Sequence, residues 1–326
     1  MNILVVGGAG YIGSHMLLKL KQAGHEVIVL DDLSTGHQES VLAGTFIQGS
    51  LQDQALLTEI FTANALDAVM HFSAFIQVGE SVQLPAKYYH NNVVNTLRLL
   101  DTMLAHQVNK FIFSSTAAIF GNPEYTPIDS SHPKNPINPY GRSKWFIEQI
   151  LSDYDHAYGL KSVALRYFNA AGADPLTRIG EWHETESHLI PLLLQVASKH
   201  RSHIDVFGND YPTRDGTCIR DYIHIMDLCS AHLLALAHLA AGKPSCAYNL
   251  GNGQGFSVQE VIAAAQVVTG QEIPIRMRPR RRGDPPILVA DARAAARELG
   301  WQPQYPDIHT IIEHAWAWEQ KLHKLR

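Results

Sequence analysis

Ile3-Leu4-Val5-Val6-Gly7-Gly8-Ala9-Gly10-Tyr11-Ile12-Gly13 runs four apolar residues into a glycine cluster, and a helical pattern follows to about Ala23, closed by Gly24. The apolar run reads as a short buried strand. The glycines fit Gly-x-x-Gly-x-x-Gly (7, 10, 13) and Gly-x-Gly-x-x-Gly (8, 10, 13) at once. Such spacing permits a tight turn and lets backbone approach a pyrophosphate at a helix N-terminus. A second strand, 27–30, ends at Asp31-Asp32, and Asp31 stands 18 residues beyond Gly13. A carboxylate there accepts from an adenosine ribose 2′-OH and repels a 2′-phosphate. The segment reads as a dinucleotide site for NAD rather than NADP.

Working outward, the β-α alternation continues. Strands are expected at 46–47, 68–72, 110–114 and 162–166. Helices are expected near 54–62, over 86–106 and from Pro139 to about Tyr158. Alternation this regular predicts an α/β fold, a Rossmann-type doubly wound parallel sheet with helices on both faces. After Asn169 the pattern breaks into loops, shorter helices and a strand near 247–250, so a second, smaller α/β substrate lobe is expected. Residues 1–168 with about 222–250 are assigned to the NAD-binding domain, and 169–221 with about 251–326 to the other lobe.

Composition narrows the class. The chain has 326 residues, 46% of them hydrophobic, enough for a large core. A net charge of −5, with one short basic run at Arg280-Arg281-Arg282, suggests neither a nucleic-acid nor a membrane surface. Cys218, Cys229 and Cys246 are three, widely spaced and without a Cys-x-x-Cys pair, as in a reducing, cytoplasmic compartment. The first eight residues are a strand running into glycine, and no signal peptide is expected. Eighteen histidines are present, yet no His-Glu-x-x-His occurs, and no metal is expected.

The chemistry points to Asn138-Pro139-Tyr140-Gly141-Arg142-Ser143-Lys144. Pro139 suits the first turn of a helix, which stacks Tyr140 and Lys144 at i and i+4 on one face. An ammonium beside a phenol is expected to pull down a pKa that is ~10 unperturbed, making Tyr140 a general base.

The glycine fingerprint, the Tyr140/Lys144 pair and Phe113-Ser114-Ser115-Thr116 together resemble the extended short-chain dehydrogenase/reductase family. Within it the chain looks like the UDP-hexose 4-epimerases. The resemblance rests on Gly7–His15, Val78-Gly79-Glu80-Ser81, Arg166-Tyr167-Phe168-Asn169, Phe207-Gly208-Asn209-Asp210-Tyr211-Pro212-Thr213, Ile219-Arg220-Asp221-Tyr222-Ile223-His224 and Arg280-Arg281-Arg282-Gly283-Asp284. It runs from Met1 to about Trp318.

The resemblance implies that Tyr140 takes the 4-OH proton of the sugar while C4 is oxidised by tightly held NAD. Lys144 would bond the nicotinamide ribose, and Thr116 the 4-oxygen. Gly7, Gly10, Tyr11, Ile12, Gly13, Asp31, Asp32, Ser50, Leu51, Phe72, Ser73, Ala74, Asn91 and Phe168 would line the cofactor with the Tyr-Lys pair. Asn169, His188, Leu189, Phe207, Arg220, Arg281, Asp284 and Leu288, with Thr116, would hold a UDP-hexose. Leu288 matches the family's pocket gatekeeper, a large Tyr or a small Cys or Ser in other members.

A homodimer is implied too, pairing the helices after Ala86 and after Tyr140. Val93, Val94, Leu97, Leu100, Trp145 and Ile150 would supply apolar surface, although core packing explains several equally well. Ser50, Ile76 and Phe120 depart from the family's usual Asp, basic residue and Tyr. Nucleotide-sugar dehydratases carry Asp-Glu directly after the active-site Thr, where this chain has Ala117-Ala118. Dinucleotide-sensing regulators of the fold typically lack the Tyr-Lys pair. An epimerase of another UDP-sugar and a nucleotide-sugar oxidoreductase stay open as alternatives.

Overall fold

The structure, a computed structural model, describes residues 1–281 and 283–325, so Arg282 of the basic run lies outside the described residues. The first half carries β1 (Asn2–Val6), α1 (Tyr11–Gln22), β2 (Glu26–Asp31), β3 (Thr45–Gln48), α2 (Gln54–Ala63) and β4 (Ala68–His71). It continues through α3 (Val78–Gln83), α4 (Pro85–Tyr88), α5 (Asn95–Ala105), β5 (Lys110–Thr116), α6 (Pro139–Tyr158) and β6 (Lys161–Tyr167). The second half carries β7 (Asn169–Ala171), α7 (Leu189–Ala197), β8 (Ile204–Phe207), β9 (Ile219–Arg220), β10 (Tyr222–His224), α8 (Ile225–Ala240) and β11 (Cys246–Leu250). Last come β12 (Phe256–Ser257), α9 (Val258–Thr269), β13 (Ile275–Arg278), β14 (Ile287–Leu288), α10 (Arg293–Leu299) and α11 (Ile308–Leu325).

Seven strands form one sheet in the order β3-β2-β1-β4-β5-β6-β11, every pair parallel. Successive side chains of a strand face opposite ways. Ile3 and Val5 therefore pack with Leu17, Leu20, Leu228 and Leu236 on one face. Leu4 and Val6 pack with Leu57, Leu99 and Ile147 on the other. A strand buried on both faces is unbroken hydrophobic sequence, as Ile3–Val6 is. Strand order reverses between β1 and β4, so a crevice opens at their carboxyl ends, where open α/β sheets bind ligands.

Residues 222–250 return to this sheet: β11 is its seventh strand, and α8 supplies Leu228, Ala231, Ala235 and Leu236 to the core shared with α1. The smaller lobe builds its own core from α7, α9 and α11, with Leu193, Ile262 and Ile311 buried together. There β8 pairs with β13, and β9 lies between β12 and β14. Ala295 and Trp301 of the chain around α10 pack into the first core.

Asp221 joins the lobes. It is fully buried, and its carboxylate accepts from Asn252 N (2.6 Å), Gly253 N (3.0 Å) and Ala290 N (3.0 Å). Its carbonyl accepts from the Asn169 side chain at 2.9 Å. A Cβ on Gly251 would come within 2.4 Å of the carboxylate, so only glycine fits there.

One expected helix, 86–106, forms without a break over residues 85–105 but changes its winding part-way. A π-helical turn over Tyr89–Val94 separates α4 from α5. Of the apolar residues expected on a shared helical face, Leu100 lies in the core, and Val93 and Ile150 pack against it. Trp145 packs beside Phe120, while Val94 is exposed. Phe146, which sequence reading passed over, is 42% exposed and stacks on Tyr89. Among the described residues no helix is long and apolar enough to cross a membrane.

Asp221→Ala would strand three buried N–H groups. Each costs ~1–3 kcal/mol, so unfolding in urea should become easier by on the order of 3 kcal/mol. A loss under about 1 kcal/mol, the scale of an ordinary substitution, would remove Asp221 from this role.

Candidate active site

The glycine turn is built by backbone touching backbone. A Cβ on Gly13 would lie 2.1 Å from Gly7 O, and one on Gly7, at φ 81°, would lie 2.5 Å from Ser73 N. At Gly10 the nearest atom would be Gly7 O at 3.5 Å, so the turn is open on that side. Gly10 is also the N-cap of α1 and offers no side-chain cap, which leaves the first helical N–H groups for an anion. Asp31 closes the turn, accepting from Ala9 N and Leu33 N, each at 2.9 Å. Burial raises its pKa and those two bonds work against the rise. Asp32 accepts from Ser34 N at 2.9 Å. These features fit a dinucleotide: an uncapped helix start for the pyrophosphate, and a carboxylate at the end of the next strand for a ribose.

Other residues expected at the cofactor take varied places. Phe72, Ser73 and Ala74 follow β4, with Phe72 N bonded to Val6 O at 2.8 Å. Tyr11 donates to Gly172 O at 2.6 Å, tying the turn to the smaller lobe. Ile12 packs against the core below α1. Ser50 uses its hydroxyl to accept from Gln52 N at 3.2 Å, and Leu51 is buried. Phe168 packs with Leu288 against Ile119, Phe120 and Ile128.

Tyr140 and Lys144 sit in the first turns of α6, whose N-cap Asn138 accepts from Gly141 N at 2.8 Å. A Cβ on Gly141 would lie 2.5 Å from Ala118 O, so glycine lets this helix abut the turn that follows Thr116. The Thr116 hydroxyl accepts from Ala118 N at 3.1 Å and is the neighbour that lowers the pKa of the Tyr140 phenol. Lys144 is buried; it donates to Ser114 O at 2.8 Å and lies 4.9 Å from the centre of the Phe113 ring.

The expected pull of Lys144 on Tyr140 does not hold here. Burial pushes the phenol up, and the group that opposes this is Thr116. Burial also brings Lys144 down to about 7, and one of its N–H groups is donated to the Ser114 carbonyl. An ammonium close to neutrality has little field to lend.

On the smaller lobe, Arg220 is ion-paired to Asp284, and Leu288 lies opposite Arg220 in the β9–β14 ladder. The Arg281 guanidinium lies over the Phe207 ring at 4.1 Å. Asn169 is bonded to Asp221, and Leu189 opens α7. Arg281, Asp284 and Ile287 line a cleft of about 630 Å³ with Asn122, Tyr125 and Tyr211. The His188 ring is instead turned to Glu181 and Glu186 at 2.8 and 2.9 Å.

Residues 3–251 match the NAD dependent epimerase/dehydratase family. The chain belongs to that family. It is 53% identical to the UDP-glucose 4-epimerase of Halalkalibacterium halodurans over 321 residues, 98% of this chain and 96% of that one. The crystal structure of the Brucella ovis UDP-glucose 4-epimerase in complex with NAD superposes with a TM-score of 0.95 at 49% identity, covering 97% of each chain. That of the Bifidobacterium longum enzyme with NAD+ and UDP gives 0.93 at 38% identity, covering 98% of each.

For a member of an NAD-dependent family, two polar features went unread in the sequence. Asn92, next to the expected Asn91, is buried in the π-helical turn. It accepts from Phe75 N at 2.9 Å and donates to Phe75 O and Ser143 Oγ, each at 3.0 Å. It thereby locks the segment after β4 to the residue before Lys144. Its signal was thin: one more Asn in an apparent helix. Glu148 is the other, held by Arg166 through bonds of 2.5 to 3.1 Å and by Ser115 at 2.5 Å beneath the site.

With Thr116 working against the rise of the Tyr140 pKa, Thr116→Val should move the acid limb of the kcat–pH profile upward. A hydrogen bond to a charged group is worth ~1.5–3 kcal/mol, or about one to two pH units. An unmoved limb would show that Thr116 does not tune the phenol.

Proposed function

We infer that the chain is a UDP-glucose 4-epimerase interconverting UDP-glucose and UDP-galactose, a step of galactose metabolism. Full-length relatives near half identity support this reading. The observation that carries it is the placing of Tyr140 and buried Lys144 in the first turns of α6, packed through Gly141 against the turn that follows Thr116, with alanines where a dehydratase needs an acid and a base. NAD, when bound at the glycine turn, supplies reversible oxidation at the sugar C4. Tyr140 as phenolate takes the 4-OH proton and, once the 4-keto sugar has turned and its C4 has regained hydride on the other face, returns that proton to the 4-oxygen, while Thr116 steadies the phenolate before the first transfer and after the last. Lys144 and Asn91 hold the nicotinamide half of the site. The keto sugar turns over while the UDP stays anchored.

That anchoring is proposed for Asn169, Leu189, Phe207, Arg220, Arg281 and Asp284, with residues 1–168 and 222–250 holding NAD. Two guanidiniums suit a diphosphate through charge-assisted bonds. A cytoplasmic homodimer is proposed as well, since Val82, Leu84, Val94 and Phe146 leave apolar surface on the helices flanking the site.

Purified protein should convert UDP-galactose to UDP-glucose without added NAD. Accumulating NADH, or no conversion, would overturn the reading. Tyr140→Phe should retain NAD and the fold while cutting kcat by at least ~10²-fold, the scale of a lost general base. Turnover near that of the parent would remove Tyr140 from the reaction.

Leu288 packs beside Ala117 and Phe168 at the floor of this region. Fitting an N-acetyl group against such a wall costs ~1–3 kcal/mol, so UDP-GlcNAc should react roughly 10- to 100-fold more slowly. Leu288→Ser should recover that rate and spare UDP-galactose. Equal rates on both sugars in the parent would show that Leu288 is no gate.

A further inference from the structure

The segment Glu181-Trp182-His183-Glu184-Thr185-Glu186-Ser187-His188 contains a four-sided arrangement that the epimerase reaction does not use. One ligand atom from each of Glu181, His183, Glu186 and His188 lies within 4.8 Å of all the others. The four N···O separations are 3.4, 3.2, 2.8 and 2.9 Å. Bonds of 2.0–2.1 Å from a central ion to four tetrahedral ligands set neighbours about 3.3 Å apart. We propose that these four side chains bind a divalent first-row metal ion, zinc by the match of donors and spacing.

Three observations favour an ion. Both imidazoles aim the same atom, Nδ1, inward, and each Nδ1 faces oxygens from both glutamates. Each Nδ1 bonds one oxygen of Glu186, at 3.2 and 2.9 Å, and also lies 3.4 and 2.8 Å from Glu181, so the single Nδ1 hydrogen of each ring would have to be shared between two carboxylates, whereas an ion at the centre serves all four groups. Second, the glutamate side chains are only 7% and 5% exposed, and among the described residues neither is ion-paired to a Lys or Arg. Two carboxylates with a divalent cation and neutral imidazoles make a neutral group, the arrangement a buried site requires. Third, the shell around it is already oriented. Ser187 N and His188 N donate to Glu186 at 2.7 and 2.8 Å, and Trp318 Nε1 donates to the Glu181 carbonyl at 3.0 Å. His188, 40% exposed, leaves a path from solvent.

The ion would act as a staple. Trp182, inside the segment, stacks on His37 at 3.7 Å, and His37 N bonds Ala9 O of the glycine turn at 3.1 Å. Leu189, directly after the cluster, begins α7. Binding at this point would fasten the smaller lobe to the cofactor turn without touching the reacting carbon.

The test uses untagged full-length protein stripped by a chelator and titrated with Zn²⁺ alone and, separately, Co²⁺ alone. One equivalent of zinc, an intense visible cobalt spectrum of the four-coordinate type, and a Tm raised by zinc are expected. Glu186→Gln keeps the shape and still accepts from both N–H groups, so it should fold. Since even outer-shell changes cost 10–100-fold in metal affinity, it should bind zinc at least ~100-fold more weakly, and His183→Ala likewise. Sub-stoichiometric zinc, a cobalt spectrum like that of the hydrated ion, or unchanged affinity in Glu186→Gln would overturn the proposal. The wild-type titration decides the matter even if a variant does not fold.

Discussion

The contact between peptide groups at Gly7, Gly13 and Ser73 is the constraint on which the rest depends. With Gly7 O only 2.1 Å from where a Gly13 Cβ would stand, and Ser73 N 2.5 Å from that of Gly7, no side chain fits between β1, α1 and the end of β4. The closeness brings the three elements to one point at the switch in strand order. It leaves the first N–H groups of α1 uncapped and pins Asp31 against Ala9. A side chain here would push α1 off the sheet and dissolve the anion site and the ribose carboxylate together.

The reactive end is assembled differently, from burial and polar locks. Thr116 ends β5, Tyr140 opens α6, and glycine at 141 lets the two abut. Asn92 and the Arg166–Glu148–Ser115 group then fix α6 against its neighbours from below. Burial raises the phenol and lowers the lysine, opposite shifts that both favour neutral groups. Thr116 is the neighbour that works against the rise at the phenol.

The smaller lobe carries Arg220 and Arg281, the guanidiniums proposed for the diphosphate, and few polar links hold it to the first. Asp221 satisfies three backbone donors from two loops, and Tyr11 reaches across to Gly172. The Glu181–His188 segment gathers two carboxylates and two imidazoles beside the same seam. Each link is polar and at least partly buried, so each is costly to leave half made, which favours a single relation between cofactor turn and substrate lobe.

Much of this was legible in the chain. Glycine spacing, the four-residue β1 run, the carboxylate after β2 and the i,i+4 Tyr-Lys pair are local patterns whose geometry follows from backbone sterics and helix pitch alone. They gave the parallel sheet, the dinucleotide turn and the family likeness. The capping box of Ser257 and Glu260 that starts α9 is a local pattern of the same kind. What the sequence did not disclose lies in contacts between distant segments. Asn92 meets Ser143 across 51 residues, and the π-helical turn that allows it looks like plain helix in one dimension. Lys144 was assigned to the phenol by spacing, yet it bonds a strand carbonyl 30 residues away. The Glu-x-His-x-x-Glu-x-His run was present in the sequence all along, but only the folded loop turns all four side chains toward one point. Backbone pattern is set by neighbours along the chain; the charge and partner of a side chain are set by what folding brings beside it.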